Sequence, residues 1–148
     1  MSRSTVPIVI LCGGRGLRLG ADSLPKPLVE IGGMPVLWHI MKGYAVEGFE
    51  RFTLCLGYRG EQIREFFVRR SDWHSRDFTL RHFNDDGYPD VKIAYRRESV
   101  VDGWEVTFID TGLDTKTGGR LQQVEKYLDE THFFMTYGDG VSDVSPKK

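Results

Sequence analysis

Long hydrophobic runs are missing from this sequence. The start, MSRSTVPIVILCGG, reaches an apolar run of only five residues before glycines interrupt it, too short for a signal-peptide core or a membrane span. A cytoplasmic protein with no membrane partner is therefore expected. Cysteine is also scarce. The two present, Cys12 and Cys55, lie in strand-like apolar runs without a CxxC or Cys/His spacing, which excludes a disulfide framework and a zinc site and predicts buried free thiols. An excess of charge of either sign is lacking: 20 Lys and Arg face 21 Asp and Glu, so nothing favours a nucleic-acid backbone or an anionic membrane as partner. Repeats, low-complexity segments and an obvious linker are absent too. With 148 residues, 40% hydrophobic and 28% charged, the chain is expected to form a single domain over residues 1–148 with a sizeable core.

What is present is an alternation of two patterns. PIVIL (residues 7–11), FTLCL (52–56) and FFMTY (133–137) are short and wholly apolar, as strands buried on both faces are. Between them, Val36, Leu37, Ile40, Met41, Tyr44 and Ala45 recur at helical spacing after Pro35 and before Gly48. A second helix is predicted over residues 61–70, with Ile63, Phe66 and Phe67 on one face, and a third over 120–129, with Leu121, Val124 and Leu128. DFTLRHF, DVKIAYRR and WEVTFIDTG alternate apolar and polar residues, and NDDGYPD joins the first two. They read as half-exposed strands in a hairpin or at an edge, with Asp85 and Asp86 in a turn. The expected fold is α/β: a mostly parallel, Rossmann-like sheet with helices on both faces and a small antiparallel addition.

Gly13, Gly14 and Gly16 follow the first strand directly, where backbone N–H groups can approach an anion. A P-loop is excluded, because no Gly-Lys-Ser/Thr ending follows, and so is a dinucleotide fingerprint, because Pro25 and Pro27 forbid the helix it needs. These prolines predict an extended segment that fixes Lys26 as a phosphate anchor. A surface loop whose Arg15, Arg18 and Lys26 are simply solvated is the other reading. YGDG places Asp139 at a strand's carboxyl end between two glycines, either as a metal ligand or in an Asp-Gly turn. In DTKTGGRL, Thr117 reads as a helix cap. Trp38 and His39 read as packing or surface residues, and Glu61, Arg64 and Glu65 as a solvated face.

The run LCGGRGLRL, followed by PKPLVEIGG, resembles the signature of the sugar-1-phosphate nucleotidyltransferases. PVLWHIMKGY, GYRGEQIREFF, VTFIDTGLDTKTGGRL and FFMTYGDGVSD extend the likeness from residue 8 to residue 143 and resemble the branch that uses CTP. The resemblance implies formation of CDP-glucose and pyrophosphate from CTP and glucose 1-phosphate, with Mg²⁺. It implies that Leu11, Cys12, Gly13, Gly14, Arg15, Gly16 and Leu17 hold nucleotide, that Arg18 contacts the triphosphate and stabilises the leaving pyrophosphate, and that Lys26 draws the two phosphates together. Thr115 and Arg120 would recognise the base, Gly138 would lie against the nucleotide and Asp139 would bind Mg²⁺. Leu17 stands where the family usually has threonine, and the segment from Arg18 to Lys26 is shorter than the usual pattern.

The resemblance covers nearly all of this chain but only about the first half of the family's. Most of the sugar phosphate pocket and a second metal aspartate would lie beyond it, so slow turnover is expected of the chain alone. The strand ending at Tyr137 would then carry an open apolar edge that invites a second copy, and a homo-oligomer is expected. A non-catalytic nucleotide-binding or interaction module, and a related transferase with another base or sugar, are the alternative readings.

Overall fold

The structure, a computed structural model, describes residues 4–15, 24–69, 78–83, 89–95 and 103–147. The first strand, β1 (Ile8–Leu11), is wholly buried. After it, Lys26–Leu28 forms one turn of 3₁₀ helix. The extended segment expected at Lys26 is thus replaced by a tight turn. Pro27 is tolerated there because a first turn does not use its missing N–H, while Leu28 N–H donates to the Pro25 carbonyl at 2.8 Å.

A hairpin that the sequence reading did not anticipate follows, β2 (Glu30–Ile31) against β3 (Met34–Pro35). Gly32 and Gly33 make its turn with φ of 60° and 82°, a two-residue geometry open to glycine pairs. Helix α1 (Val36–Val46) starts after Pro35 and ends where Gly48 adopts φ 91°, closing the last turn with its N–H on the Ala45 carbonyl at 2.9 Å.

The remaining elements are β4 (Arg51–Leu56), α2 (Gly60–Arg69), β5 (Phe78–Phe83), β6 (Pro89–Tyr95), β7 (Trp104–Asp110), α3 (Thr117–Val124) and β8 (Phe134–Tyr137), with a 3₁₀ turn at Glu125–Tyr127. One six-stranded sheet has the order β6-β5-β7-β4-β1-β8. Every neighbouring pair is parallel except β5 and β6, so the expected antiparallel hairpin is present at one edge. The turn assigned to Asp85 and Asp86 lies outside the described residues.

Two strand expectations are corrected. WEVTFIDTG does not form a half-exposed strand, because β7 runs parallel between β4 and β5 and buries Trp104, Val106, Phe108 and Ile109. FFMTY is not buried on both faces: Phe134 packs on Phe49 with rings 5.2 Å apart, but Met135 and Tyr137 are exposed. The sheet is covered unequally. Leu37, Ile40 and Met41 of α1 and Ile63 and Phe67 of α2 pack on one face against Ile8, Ile10, Phe52 and Leu54. Val124 of the short α3 packs on the other against Val9, Leu11, Cys55 and Ile109, in a cluster that does not include β8.

Helix α3 also starts three residues before the expected Arg120. Thr117 is its first residue and not its cap; Lys116 takes the cap position without a side-chain bond.

Candidate active site

In chain order the parallel strands are β1, β4, β5, β7 and β8, yet in space they run β5-β7-β4-β1-β8. The chain therefore reverses its lateral progress beside β1, and open α/β sheets receive ligands at the carboxyl ends of the strands at such a reversal. A cleft of about 500 Å³ occupies that place, lined among others by Gly13, Gly14, Lys26, Thr115, Arg120 and Asp139.

Lys26 is carried on its 3₁₀ turn by the buried Pro27 and Leu28. Its Nζ lies 3.4 Å from Asp139 Oδ2, both side chains being partly exposed to the cleft. Asp139 stands just beyond β8, and Gly138 lets that turn come close: a Cβ on Gly138 would stand 2.8 Å from Cys12 Sγ and 3.2 Å from Pro27 Cγ. The Gly138 N–H donates to the Leu11 carbonyl at 3.0 Å. One glycine thereby packs the first strand, the lysine turn and the aspartate turn together. On the loop after Gly14, Arg15 Nη2 donates to Asp114 Oδ1 at 2.6 Å, a bridge between exposed groups of modest strength.

Beneath the loop lies Arg120, a cation only 5% exposed. Its Nη1 donates to the Leu56 carbonyl at 3.0 Å and to Thr111 Oγ1 at 2.6 Å. Its Nη2 donates to the carbonyls of Gly13 at 3.1 Å and Leu113 at 3.4 Å. The carboxyl ends of β1, β4 and β7 are thus tied to one guanidinium.

Leu11, Cys12, Gly13, Gly14, Lys26, Thr115, Arg120 and Asp139 all line the cleft. Gly138 is buried, and Arg15 is exposed and paired with Asp114. Gly16, Leu17 and Arg18 lie outside the described residues. Lys116 and Thr117 also line the cleft. The sequence reading overlooked Lys116, whose signal was a cation inside the same DTKTGG loop. It also overlooked Asp114, whose pairing with Arg15 spans 99 positions and leaves no local trace. His39 Nε2 lies 2.8 Å from the Ile31 carbonyl oxygen, away from the residues that line the cleft. Among the described residues no group of three His, Cys, Asp or Glu side chains converges.

Both cysteines are buried and free. Burial pushes the Cys55 thiol up to about 12, against a smaller downward pull from Arg120. Cys12 is raised well above the ordinary value, by burial first and then by the charges of Cys55 and Asp139, with Arg120 again opposing. The cleft wall at Cys12 is therefore a neutral thiol at physiological pH.

Residues 8–139 match the family model for the MobA-like NTP transferase domain. The chain belongs to this family.

Relatives of the NTP transferase domain described here include a probable glucose-1-phosphate cytidylyltransferase of Bacillus subtilis, 42% identical over 93% of this chain and 51% of that protein. The glucose-1-phosphate cytidylyltransferase of Salmonella typhimurium is 44% identical over 94% of this chain and 52% of its own length. The chain thus spans about half the length of the curated relatives it matches. Among solved structures, HddC from Yersinia pseudotuberculosis, complexed with GMP-PN, aligns with a TM-score of 0.60 and 26% identity over 90% of this chain and 48% of its own. The inositol-1-phosphate CTP transferase from T. maritima shares the fold, with a TM-score of 0.56 at 17% identity over 93% of this chain and 45% of its own.

The mostly parallel sheet with helices on both faces is accordingly the nucleotidyltransferase arrangement. Among the described residues no helix is long and apolar enough to cross a membrane.

Proposed function

We propose that this chain is the nucleotide-binding domain of a CTP:glucose-1-phosphate cytidylyltransferase, forming CDP-glucose and pyrophosphate. The observation that carries the reading is the meeting of the glycine loop, Lys26 and Asp139 in one cleft at the point where the sheet reverses. Identities of 42% and 44% to cytidylyltransferases over nearly the whole chain support the base and the sugar.

Nucleotidyl transfer brings two polyanions together and expels a third. The phosphate oxygen of glucose 1-phosphate is ionised at neutral pH, so it attacks the α-phosphorus of CTP in line without a side-chain nucleophile, and the bond to pyrophosphate breaks. Backbone N–H groups of Gly13 and Gly14 hold the triphosphate. Lys26 neutralises both incoming phosphates, and Arg18 stabilises the charge developing on pyrophosphate. Thr115 and Lys116, on the loop before α3, face the other end of the nucleotide.

Asp139 suits Mg²⁺. Its carboxylate is partly open to the cleft and faces Lys26 at 3.4 Å, and magnesium asks for only one or two carboxylates beside substrate phosphates and water. When bound there, Mg²⁺ would offset phosphate charge. Lys26 and Asp139 would then hold the triphosphate and the ion as a pair.

A cytoplasmic setting follows from the substrates, which are charged intracellular metabolites. A homo-oligomer is part of this proposal because Met135 and Tyr137 of β8 are apolar side chains 40% and 55% exposed. The test is release of pyrophosphate from CTP dependent on glucose 1-phosphate and Mg²⁺. Release from CTP well above that from UTP or dTTP is expected; equal release from all three would remove the cytidylyl assignment.

A further inference from the structure

A buried cation is expensive unless its hydrogen bonds are made. Arg120 makes four of them, and no carboxylate pairs with it among the described residues. The neighbouring thiols are held neutral by burial, so they supply no counter-charge. The space around the guanidinium is kept by glycines. A Cβ on Gly13 would run into the Arg120 guanidinium. One on Gly57 would stand 2.8 Å from Nη1, from the Gly13 carbonyl oxygen and from the Gly112 carbonyl oxygen. Gly112 itself has φ 88°, which only glycine adopts freely. Three glycine-bearing turns, after β1, β4 and β7, therefore close around one side chain.

The consequence lies in the peptide joining Gly13 to Gly14. The Gly13 carbonyl accepts from Arg120 Nη2 at 3.1 Å and from the Tyr58 N–H at 3.3 Å, so it points inward. In a trans peptide the following N–H points the opposite way, and no cis bond is present among the described residues. The Gly14 N–H is thereby turned outward, on an exposed residue that lines the cleft.

We propose that Arg120 is a positioning residue: by holding the Gly13 carbonyl inward, its guanidinium aims the Gly14 N–H at the triphosphate. This rests on the nucleotide reading of the cleft.

Arg120→Lys tests it, since lysine keeps the charge but has one nitrogen and cannot serve carbonyls on three turns. The 148-residue chain and the variant are titrated with CTP and with inorganic tripolyphosphate, which has no base, both with Mg²⁺. Amide exchange of Tyr58 is followed without ligand, and the melting temperature confirms folding. Both affinities should fall by a similar factor, at least about tenfold, with faster Tyr58 exchange. A loss confined to CTP would assign Arg120 to the base and overturn the proposal. A lower melting temperature with unchanged tripolyphosphate affinity would reduce Arg120 to a structural residue and overturn it equally.

Should Arg120→Lys fail to fold, Gly57→Ala disturbs the same bonds from the opposite side and should produce the same parallel loss. If the parent chain binds neither probe, the nucleotide reading fails, and Tyr58 exchange decides the hold on the loop alone: faster exchange in the variant supports it and unchanged exchange refutes it.

Discussion

Lys26 and Asp139 lie 113 positions apart in the chain and 3.4 Å apart in space. Each was legible singly, as a lysine between prolines and an aspartate between glycines after a strand; their meeting follows from the adjacency of β1 and β8, which no local pattern encodes. If they act on the triphosphate together, in the full-length protein Lys26→Ala should slow pyrophosphate release at least about tenfold, as should Arg18→Ala, about 1.4 kcal/mol of transition-state stabilisation each. Lys26 is partly exposed, so the melting of Lys26→Ala should hardly change. Asp139→Asn keeps the shape and suits a turn equally well, but it offers magnesium a neutral oxygen. The Mg²⁺ concentration needed for tight CTP binding should then rise severalfold, and a magnesium titration that overlays the parent's would return Asp139 to a turn role.

The thiols carry a prediction of a different kind. A group whose proton is held more tightly in the folded state stabilises the fold below its unfolded value, and that contribution is lost as the pH rises towards its folded value. For Cys55 the window runs from the ordinary 9.0 to about 12. Denaturant midpoints should therefore fall as the pH climbs from about 9, and Cys55→Ser should flatten part of that slope.

At the scale of elements, residues 36–46, 51–56 and 60–69 form the helix, strand and helix that periodicity and apolar runs indicate, because each helix buries one coherent face and the strand buries both. The misreadings share a cause. The alternation in β7 reads as half-exposed, but its Thr107 is buried with Thr53 on the face that Val9 and Ile109 share. Threonine in a parallel core looks polar in sequence and packs like valine. At β8 the error runs the other way. Its residues are apolar, yet α3 is only eight residues long, and Val124 packs over β1, β4 and β7 instead. Met135 is left open on the face of β8, and an exposed apolar side chain is a place where copies can associate. Sedimentation should show self-association of the parent chain, and Met135→Lys should weaken it; a parent that sediments as a monomer at high concentration would remove the oligomer from the reading.

For the whole molecule, the topology places the ends of β1 and β8 side by side, and that adjacency makes one cleft from motifs at opposite ends of the chain. The glycine signatures were legible as a set, but the sequence ties them only to a ligand. The structure shows that the glycines at 13 and 57 also make room around Arg120, a long-range constraint that no spacing rule expresses. Titration calorimetry of the 148-residue chain with CTP, UTP and dTTP in Mg²⁺ measures most directly whether this cleft is a cytidine nucleotide site. CTP should saturate a single site and bind at least about tenfold tighter than either competitor, a difference of about 1.4 kcal/mol. No heat with CTP at millimolar concentration, or equal affinity for all three, would contradict it.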